Sequence, residues 1–422
     1  MLKQEFVVAL ARAVEIIKSS PYGSLGLHHP LSPSVTQAPS ELLDVAYNEP
    51  QISALDGMAF NHGQFTTAFK IQDLLNGALA HALMHGVDSA TAAMQTYLET
   101  DCHRRIDVQL LEGIRVTETI EITEGVILCP PDAVPSSTLQ AYLQLRSQPQ
   151  STGDPGTPAA VAHRLDEGER RPTAALYNIS EVRPKFFQEA PPLTLPRDVP
   201  VMYQIAELLT VLGPSSPVAF KSFSELADGE FLKGQMGLGL GTARNATRVF
   251  SSVEPEPDQI DKFKRVAAKY LMLSWEMKQK LRVPLQRLNE AVKHRENVDR
   301  ALDLGIALES LLLNHQPSKE QLSLQFRIRG AWLLGESGQH RAELFDIFNK
   351  LYSYRSFAAH SGAVAPAKTS EEEVKKTLEA GLRLCADAIR KVIDNGGFPA
   401  WDRLVVGADY VVQEERSVAQ DE

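Results

Sequence analysis

The strongest constraint on the fold is a helical pattern that fills the C-terminal part of the chain from Asp258 onward. Apolar residues recur there at three- and four-residue steps, the spacing of one buried helix face. Ser318 and Ser370 each precede a Gln or Glu by three residues, which is typical of a capping box. The first helix is predicted to end near Pro284 and the fourth at Gly362. Short connections favour a helical bundle. The predicted helices cover about 258–282, 286–314, 318–335, 340–361 and 370–396.

The first 256 residues mix two kinds of pattern. Apolar residues alternate between Ile106 and Leu128 around Gly113 and Gly125, which predicts a short β-meander with tight turns. Residues 148–171 combine Ser, Pro, Gly and mixed charges, which indicates a long loop or linker. The other elements are helices at 3–19, 68–98, 136–147 and 199–212 and strands at 174–180 and 246–253.

These patterns predict an α+β chain with three parts. Residues 1–256 form a mixed α/β region. Residues 257–397 form an all-α bundle, and residues 398–422 are a C-terminal tail.

Composition excludes several classes of protein. The three cysteines are widely spaced and form no C-x-x-C motif, which argues against a disulfide framework or a zinc ribbon and fits a reducing cytosol. The amphipathic pattern of residues 3–19 differs from that of a signal peptide, and no stretch reaches the roughly 20 apolar residues of a membrane span. The expected location is therefore cytoplasmic, with no membrane partner.

The net charge of −10 is unevenly distributed. Residues 258–395 contain 23 Lys and Arg against 18 Asp and Glu, whereas the rest of the chain contains 20 against 35. Basic surface attracts polyanions, so the helical part can approach RNA more easily than the remainder.

One segment combines a permanent cation with a titratable imidazole at the end of a helix. Arg355 can donate bidentate hydrogen bonds to a phosphodiester, and His360 can take or give a proton near neutral pH. Together they suffice for RNA cleavage in which the ribose 2′-hydroxyl attacks the adjacent phosphate. Alternatively, Arg and His are common at helix C-termini because the helix dipole favours cations there. The segment reads Leu351-Tyr352-x-x-Arg355-Ser356-x-x-x-His360-x-Gly362.

The spacing of Arg355 and His360 bears on the assembly. Five residues at about 100° each leave the two side chains about 140° apart around an ideal helix. One chain is therefore poorly suited to form a tight pair unless the helix unwinds at His360. A two-fold axis beside the helix would bring in a second Arg and a second His, which favours a homodimer with a shared site.

The motif resembles the signature of HEPN domains, in particular the ApeA-like subgroup. Residues 300–312 resemble that family's helix with an Ala-Leu-Glu-x-Leu-Leu core, and residues 322–335 resemble its next helix with Arg-x-Ala-x-Leu-Leu. The three motifs cover about 290–362, and the helical pattern extends the likeness to about 258–396.

The resemblance implies an antiparallel bundle, a homodimer and metal-independent endoribonuclease activity, without a cofactor. The family often acts in anti-phage defence, abortive infection or toxin systems. Residues 1–256 are therefore expected to sense, position or regulate, and to respond to a phage or host trigger. Arg355, His360 and Ser356 are the implied catalytic residues. Many HEPN ribonucleases place Asn, Asp or His where Ser356 stands. Gly362 stands where some HEPN toxins have a tyrosine that is the target of AMPylation. The alternative is a non-catalytic HEPN protein that dimerises and binds nucleic acid in a defence complex.

Four further residues are candidates for supporting roles. Glu309 lies among apolar neighbours and could orient Arg355 or Arg327 through an ion pair, or lie at the edge of the apolar stripe. Arg327 and Arg329 could contact RNA or pair with acidic groups inside the bundle. Tyr352 could stack on a base or pack against the bundle.

Other patterns carry weaker signals. Residues 234–241 are rich in glycine, but they match neither G-x-G-x-x-G nor a P-loop, so a flexible turn is favoured over nucleotide binding. The pairs at 28–29 and 102–103 have no third metal ligand at a useful spacing. His81 and His85 are four residues apart but lack the Glu of H-E-x-x-H. No metal site is predicted.

Overall fold

The structure is a computed structural model, and the described residues fall into two compact units. The first comprises Met1–Leu110, Gly125–Asp198 and Phe220–Ala243, and the second Leu111–Glu124, Val199–Ala219 and Arg244–Glu422. The second unit, which we call the helical unit, thus includes three stretches of the predicted N-terminal region, at 111–124, 199–219 and 244–256. The residues that the structure describes are 2–19, 38–63, 65–140, 143, 171–191, 199–235, 239–242, 249, 252–314 and 321–413.

Strands lie in the N-terminal half and helices dominate the C-terminal half, so the fold class is α+β, as predicted. The strands are β1 (Ala59–Asn61), β2 (Thr66–Ala68), β3 (His103–Glu112), β4 (Ile120–Thr123), β5 (Val126–Cys129), β6 (Ala174–Val182), β7 (Phe186–Phe187), β8 (Val218–Leu226) and β9 (Gly239–Thr242). The helices are α1 (Gln4–Ser19), α2 (Ser40–Tyr47), α3 (Pro50–Ser53), α4 (Ile71–His85), α5 (Val87–Glu99), α6 (Val201–Leu208), α7 (Pro257–Met272), α8 (Trp275–Lys293), α9 (Asn297–Leu312), α10 (Leu322–Leu334), α11 (Gly338–Ser361), α12 (Glu371–Asp394) and α13 (Trp401–Leu404). Short 3₁₀ turns occupy Pro131–Ala133 and Leu209–Val211.

The first unit combines helices with two sheets. The small sheet has the order β2-β1-β7, with Phe60 opposite Thr67 and Phe186. Within this unit the larger sheet has the order β5-β6-β3-β8-β9. The apolar faces of α1, α2, α4 and α5 share one core in which Phe6 and Leu74 are fully buried. Burial of such side chains is the main favourable contribution to folding.

Two predictions for the first unit need correction. The predicted helix over 68–98 is two helices, because the chain breaks at Gly86, whose φ of 88° suits glycine. The strands predicted between Ile106 and Leu128 exist, but the meander is wrong because β6 lies between β5 and β3. Alternation along one strand identifies its buried face, but it does not identify the strand with which it pairs.

The glycine-rich segment contains a strand. Gly239–Thr242 forms β9, which pairs antiparallel with β8, Lys221 lying opposite Thr242. The predicted flexible turn is therefore wrong for residues 239–241, and their extended backbone differs from a phosphate-binding loop. Most of the predicted linker at 148–171 and of the predicted strand at 246–253 lies outside the described residues. Half of the predicted helix at 136–147 also lies outside them, and its described residues 137–140 are helical.

The boundary between α7 and α8 differs from the predicted one. The first helix was predicted to end near Pro284, but α7 ends at Met272 and α8 begins after Ser274. The Ser274 hydroxyl accepts a hydrogen bond from the Met277 N–H at 3.2 Å, so Ser274 caps the new helix. Pro284 lies inside α8 with its ring buried, and the prediction of a helix end there is wrong.

Helix α11 is closely surrounded by its neighbours. Each of α9, α10 and α12 faces it with a glycine, and a Cβ atom at any of the three would lie 2.1–2.6 Å from a side-chain carbon of α11. Such distances are too short for real Cβ atoms, so these helices can approach α11 only because a side chain is missing. The facing pairs are Gly305 with Arg355, Gly330 with Phe348 and Gly381 with Leu351.

The ends of α11 and α12 match their predicted signals. Gly362 follows α11 in the left-handed conformation, with φ of 69°. Ser370 caps α12 by accepting from the Glu373 N–H at 3.2 Å. The predicted Ser318 cap lies outside the described residues, and α10 begins at Leu322. The segment predicted as a tail contains α13, whose Trp401 is buried. In the described part of the chain, every helix is too short or too polar to cross a membrane.

Candidate active site

The Arg355–His360 segment lies in the last turns of α11, and the helix stays intact through Ser361. It therefore does not unwind at His360, the condition under which one chain could have brought the two side chains together. Arg355 and His360 stay about 140° apart around the helix and about 7.5 Å apart along its axis. Within one chain, the two groups point in different directions.

Helix α9 fixes Arg355 with two residues one turn apart. The Arg355 Nη2 atom donates to the Glu309 Oε2 atom at 3.0 Å, in an ion pair whose side chains are 33% and 24% exposed. Gly305 provides the space, since a Cβ there would lie 2.1 Å from the Arg355 Cγ atom. Of the two predicted partners of Glu309, Arg355 and Arg327, it is Arg355 that forms the ion pair. Partial burial raises the pKa of Glu309, and Arg355 opposes this rise.

The ion pair leaves most of the guanidinium group available. Arg355 Nε and Nη1 form no hydrogen bond with any residue in the described part of the chain. A guanidinium carries five N–H donors, so a group held by one of them can still bind an anion with others. Arg355 is thus oriented by Glu309 and retains donors for a phosphate.

Ser356 and His360 share a face of α11, because four residues correspond to about 40°. His360 is exposed, and neither its ring nor the half-buried Ser356 hydroxyl has a hydrogen-bond partner among the described residues. By contrast, the Ser353 and Ser361 hydroxyls donate to carbonyl oxygens of α11 itself, those of Asn349 and Phe357. Within the described part of the chain, the Ser356 hydroxyl is therefore free to donate, whereas the hydroxyls of Ser353 and Ser361 already donate to the helix backbone.

Arg329 has a structural position inside the bundle. It is 4% exposed, donates to the carbonyl oxygen of Leu312 at the end of α9, and lies over the Trp401 ring at 5.1 Å. Burial lowers its pKa, and Asp402 opposes this. Its position excludes direct contact with RNA in this conformation.

Arg327 lies at the surface between α10 and α11. Its Nη1 atom donates to Asn349 Oδ1 at 2.9 Å, its Nε atom donates to the Ser323 carbonyl, and its guanidinium lies 5.1 Å from the centre of the Phe345 ring. Within the described residues it forms no ion pair, so the predicted acidic partner is absent there. The interactions with Asn349 and Phe345 escaped the sequence analysis, although both residues share a helical face with Tyr352 and Ser356.

Tyr352 is half-buried, and its ring lies 5.3 Å from that of Phe326 on α10. The predicted packing role is therefore present, while part of the ring stays exposed. Tyr354, two residues on, is 6% exposed and belongs to the core.

Within the described residues, the weaker candidates do not form sites. The His81 and His85 rings are 4.7 Å apart, and His81 is hydrogen-bonded to Ser89. His103 is buried and stacked on Phe60, and residues 28–29 lie outside the described part. Among the described residues, no cluster of three or more His, Cys, Asp or Glu could hold a metal ion.

Comparisons with protein-family models, curated proteins and solved structures give no significant match. The resemblance to HEPN domains therefore depends on the three motifs.

Proposed function

We propose that the chain is a metal-independent endoribonuclease of the HEPN type that acts as a homodimer. The observation that carries this proposal is the pairing of Arg355 with Glu309 at 3.0 Å on a helix whose exposed end bears His360. The pair presents an oriented cation, and the same helix carries on another face an imidazole that solvent and substrate can reach. This arrangement supports phosphodiester chemistry better than structural packing, because packing requires neither free guanidinium donors nor an exposed imidazole.

The reaction needs only RNA and these side chains. The ribose 2′-oxygen attacks the adjacent phosphorus while one histidine takes its proton, and a new O–P bond forms. The bond from phosphorus to the 5′-oxygen of the next nucleotide breaks, and a second imidazole protonates that leaving oxygen. The products are a 2′,3′-cyclic phosphate and a 5′-hydroxyl. Arg355 stabilises the negative charge that develops on the phosphoryl oxygens, and Ser356 donates a further hydrogen bond.

A dimer supplies the second imidazole. The helical offset of about 140° keeps Arg355 of one chain away from His360 of the same chain. Two copies of α11 related by a two-fold axis provide both an Arg–His pair and a second His. Ala359→Cys tests this arrangement, because Ala359 is exposed next to His360 and a cysteine there can cross-link the two copies on mild oxidation. Failure of this variant to cross-link more than the parent chain contradicts a shared site.

Such an activity also suggests a biological setting. An unregulated ribonuclease damages its own cell, so the proposed role is a defence or toxin effector in the cytoplasm that a phage or host trigger activates. The proposed location of the trigger site is residues 1–256.

The decisive experiment incubates the purified chain with single-stranded RNA in excess chelator. Cleavage is expected for the parent chain and is expected to be lost in both Arg355→Ala and His360→Ala. Two controls match these changes: Arg383→Ala removes an exposed arginine from α12, and His85→Ala an exposed histidine from α4. Equal cleavage by either site variant and the parent rules out the proposed mechanism. RNA binding without cleavage supports the alternative of a non-catalytic binding protein.

A further inference from the structure

Helices α10 and α11 enclose a pocket of about 360 Å³ on the surface of the bundle, outside the Arg355–His360 segment. Pockets of this size are in the range that small ligands or single chemical groups occupy. Its lining combines two aromatic rings, an arginine and a carboxylate over a small apolar floor. These residues are Trp332, Phe345, Arg341, Asp346, Ile328 and Ala331.

The arginine in this pocket is held in place on the tryptophan. The Arg341 guanidinium lies 3.9 Å from the centre of the Trp332 ring, and its Nε atom donates to the Gly335 carbonyl at 3.2 Å. A Cβ atom at Gly335 would lie 2.4 Å from the Arg341 Cγ atom, so glycine is needed for this approach. A guanidinium stacked on indole is a stable cation–π pair.

A second arginine–aromatic pair adjoins the first. The Arg327 guanidinium lies 5.1 Å from the centre of the Phe345 ring and is also held by Asn349. Phe345 belongs to both arrangements, because it lines the pocket and lies under Arg327. Two oriented cations therefore accompany two aromatic rings on this surface.

The pocket and Ser356 of the candidate active site lie on one face of α11. On an ideal helix, Phe345, Tyr352 and Ser356 lie within about 40° of one another. The distance from Phe345 to Ser356 along the axis is about 16 Å, which a few nucleotides of extended RNA can span.

We propose that the α10–α11 pocket binds an unpaired base of the RNA substrate and that Arg327 and Arg341 bind its flanking phosphates. This proposal rests on the proposed function and adds a substrate-binding site to it. Aromatic faces stack on bases of any type, and arginine contributes both stacking and phosphate contacts. The Asp346 carboxylate is exposed and has no ion pair among the described residues. It repels phosphate but accepts hydrogen bonds from the amino group of adenine or cytosine.

The test measures binding of the full-length protein to a single-stranded 2′-O-methyl RNA of about ten nucleotides. Methylation blocks the 2′-nucleophile, so binding is measured without cleavage. Trp332→Leu and Phe345→Leu are each expected to weaken binding about tenfold. The matched control is Trp275→Leu, which removes a 48% exposed tryptophan from α8 and is expected to bind as the parent does. An oligonucleotide with abasic sites should bind the parent weakly, and the two pocket variants should no longer distinguish it from the complete RNA.

Base preference provides a second measurement. Asp346→Asn, an exposed and conservative change, is expected to reduce the preference for adenine and cytosine over uracil. Unchanged RNA affinity in both Trp332→Leu and Phe345→Leu overturns the proposal. A change in the oligomeric state of these variants without loss of RNA affinity also overturns it. Pocket-dependent binding by a protein that cleaves no RNA would instead contradict the proposed function alone. Cleavage with normal KM in both pocket variants would contradict only the pocket assignment.

Discussion

In the first unit His62 and His103 are buried among aromatic rings, whereas in the second unit His360 is exposed at the end of α11. The His103 ring is 3% exposed, stacks on Phe60 at 4.8 Å, and has no hydrogen-bond partner for either nitrogen among the described residues. His62 stacks on Phe65 at 4.4 Å and is hydrogen-bonded to Thr67. Both buried rings therefore act as aromatic packing groups.

Burial also changes the pKa values of the two buried histidines and determines which donors of the nearby arginines are free. Burial lowers the pKa of His62 to about 4, with a further contribution from Arg105. Burial also lowers the pKa of His103 to about 4, and the charges of His62, Lys185 and Arg105 add to this. Arg105 is 5% exposed and directs its donors to the His62 carbonyl and to Asp107. In the second unit, Arg355 keeps free donors at the surface.

The comparison shows that an arginine near a histidine is insufficient to define a site. In the first unit burial keeps His62 and His103 neutral near pH 7, and Arg105 directs its donors to protein oxygens. In the second unit Arg355 retains free donors and His360 is exposed, as the proposed function requires. Sequence spacing made His360 a candidate, and the environment distinguishes it from His62 and His103.

The largest expected effect is on catalysis. His360→Ala should lower the rate of RNA cleavage by about 10²–10⁴-fold, the usual contribution of general acid–base catalysis. His103→Phe preserves the stack on Phe60 and should leave the rate within about twofold of the parent. Rates are measured under single-turnover conditions with a labelled single-stranded RNA. A large rate loss in His103→Phe, with the fold intact by circular dichroism, would reverse the roles assigned to the two histidines.

The second prediction concerns stability against acid. The folded-state pKa of His62 and His103 is about 4, below the ordinary 6.5, so between these pH values the unfolded chain binds more protons than the folded chain. Stability therefore rises with pH in this window, is complete above about pH 6.5, and is lost towards pH 4. The contribution is of the order of 3 kcal/mol per histidine, because one pKa unit corresponds to about 1.4 kcal/mol.

Scanning calorimetry at several pH values between 4 and 7 measures this loss. His103→Phe should flatten the pH dependence of the unfolding temperature, because one of the two groups no longer titrates. His360→Ala serves as the control, because it removes an exposed histidine outside the buried pair. A parallel pH dependence in the parent and in His103→Phe would show that the buried ring does not resist protonation.

Local signals predicted much of the helical unit. Gly362 and Ser370 mark helix ends by residue type alone, and the structure has ends at both. The break at Ser274 was missed because apolar spacing continues across it. The helix end predicted near Pro284 was wrong because the proline ring is buried within α8.

The packing of the helices against one another could not be predicted from such local signals. The pairing of Glu309 with Arg355 was one of several sequence alternatives, since either Arg355 or Arg327 could have faced Glu309. Which one does so depends on the rotation of α9 against α11, and the close approach at Gly305 sets that rotation. The stack of Arg341 on Trp332 depends on a similar approach at Gly335 and left no signal in the spacing.

The third prediction tests the close approach at Gly305. Gly305→Ala places a Cβ 2.1 Å from the Arg355 Cγ atom, near the backbone of α11, where little movement is possible. The expected loss is about 1–3 kcal/mol of unfolding free energy, larger than the gain in helix propensity, together with reduced cleavage. Gly338→Ala is the matched control, because its Cβ would meet no atom within 4 Å. Gly338→Ala should gain at most about 1 kcal/mol. Equal stability of the two variants in urea unfolding would contradict the packing argument.

The smallest expected effect comes from the carboxylate that orients Arg355. Glu309→Gln keeps an oxygen that accepts from Nη2 but removes the charge, so the cleavage rate should fall about two- to fivefold, the range of a partly exposed ion pair. Glu309→Ala also removes the acceptor and should lose more activity, mainly in kcat, because an unanchored guanidinium meets the phosphate in fewer productive orientations. Glu343→Gln, an exposed change on α11, should have no effect. Equal activities for Glu309→Ala and Glu309→Gln would mean that the hydrogen bond to Arg355 does not position it for the reaction.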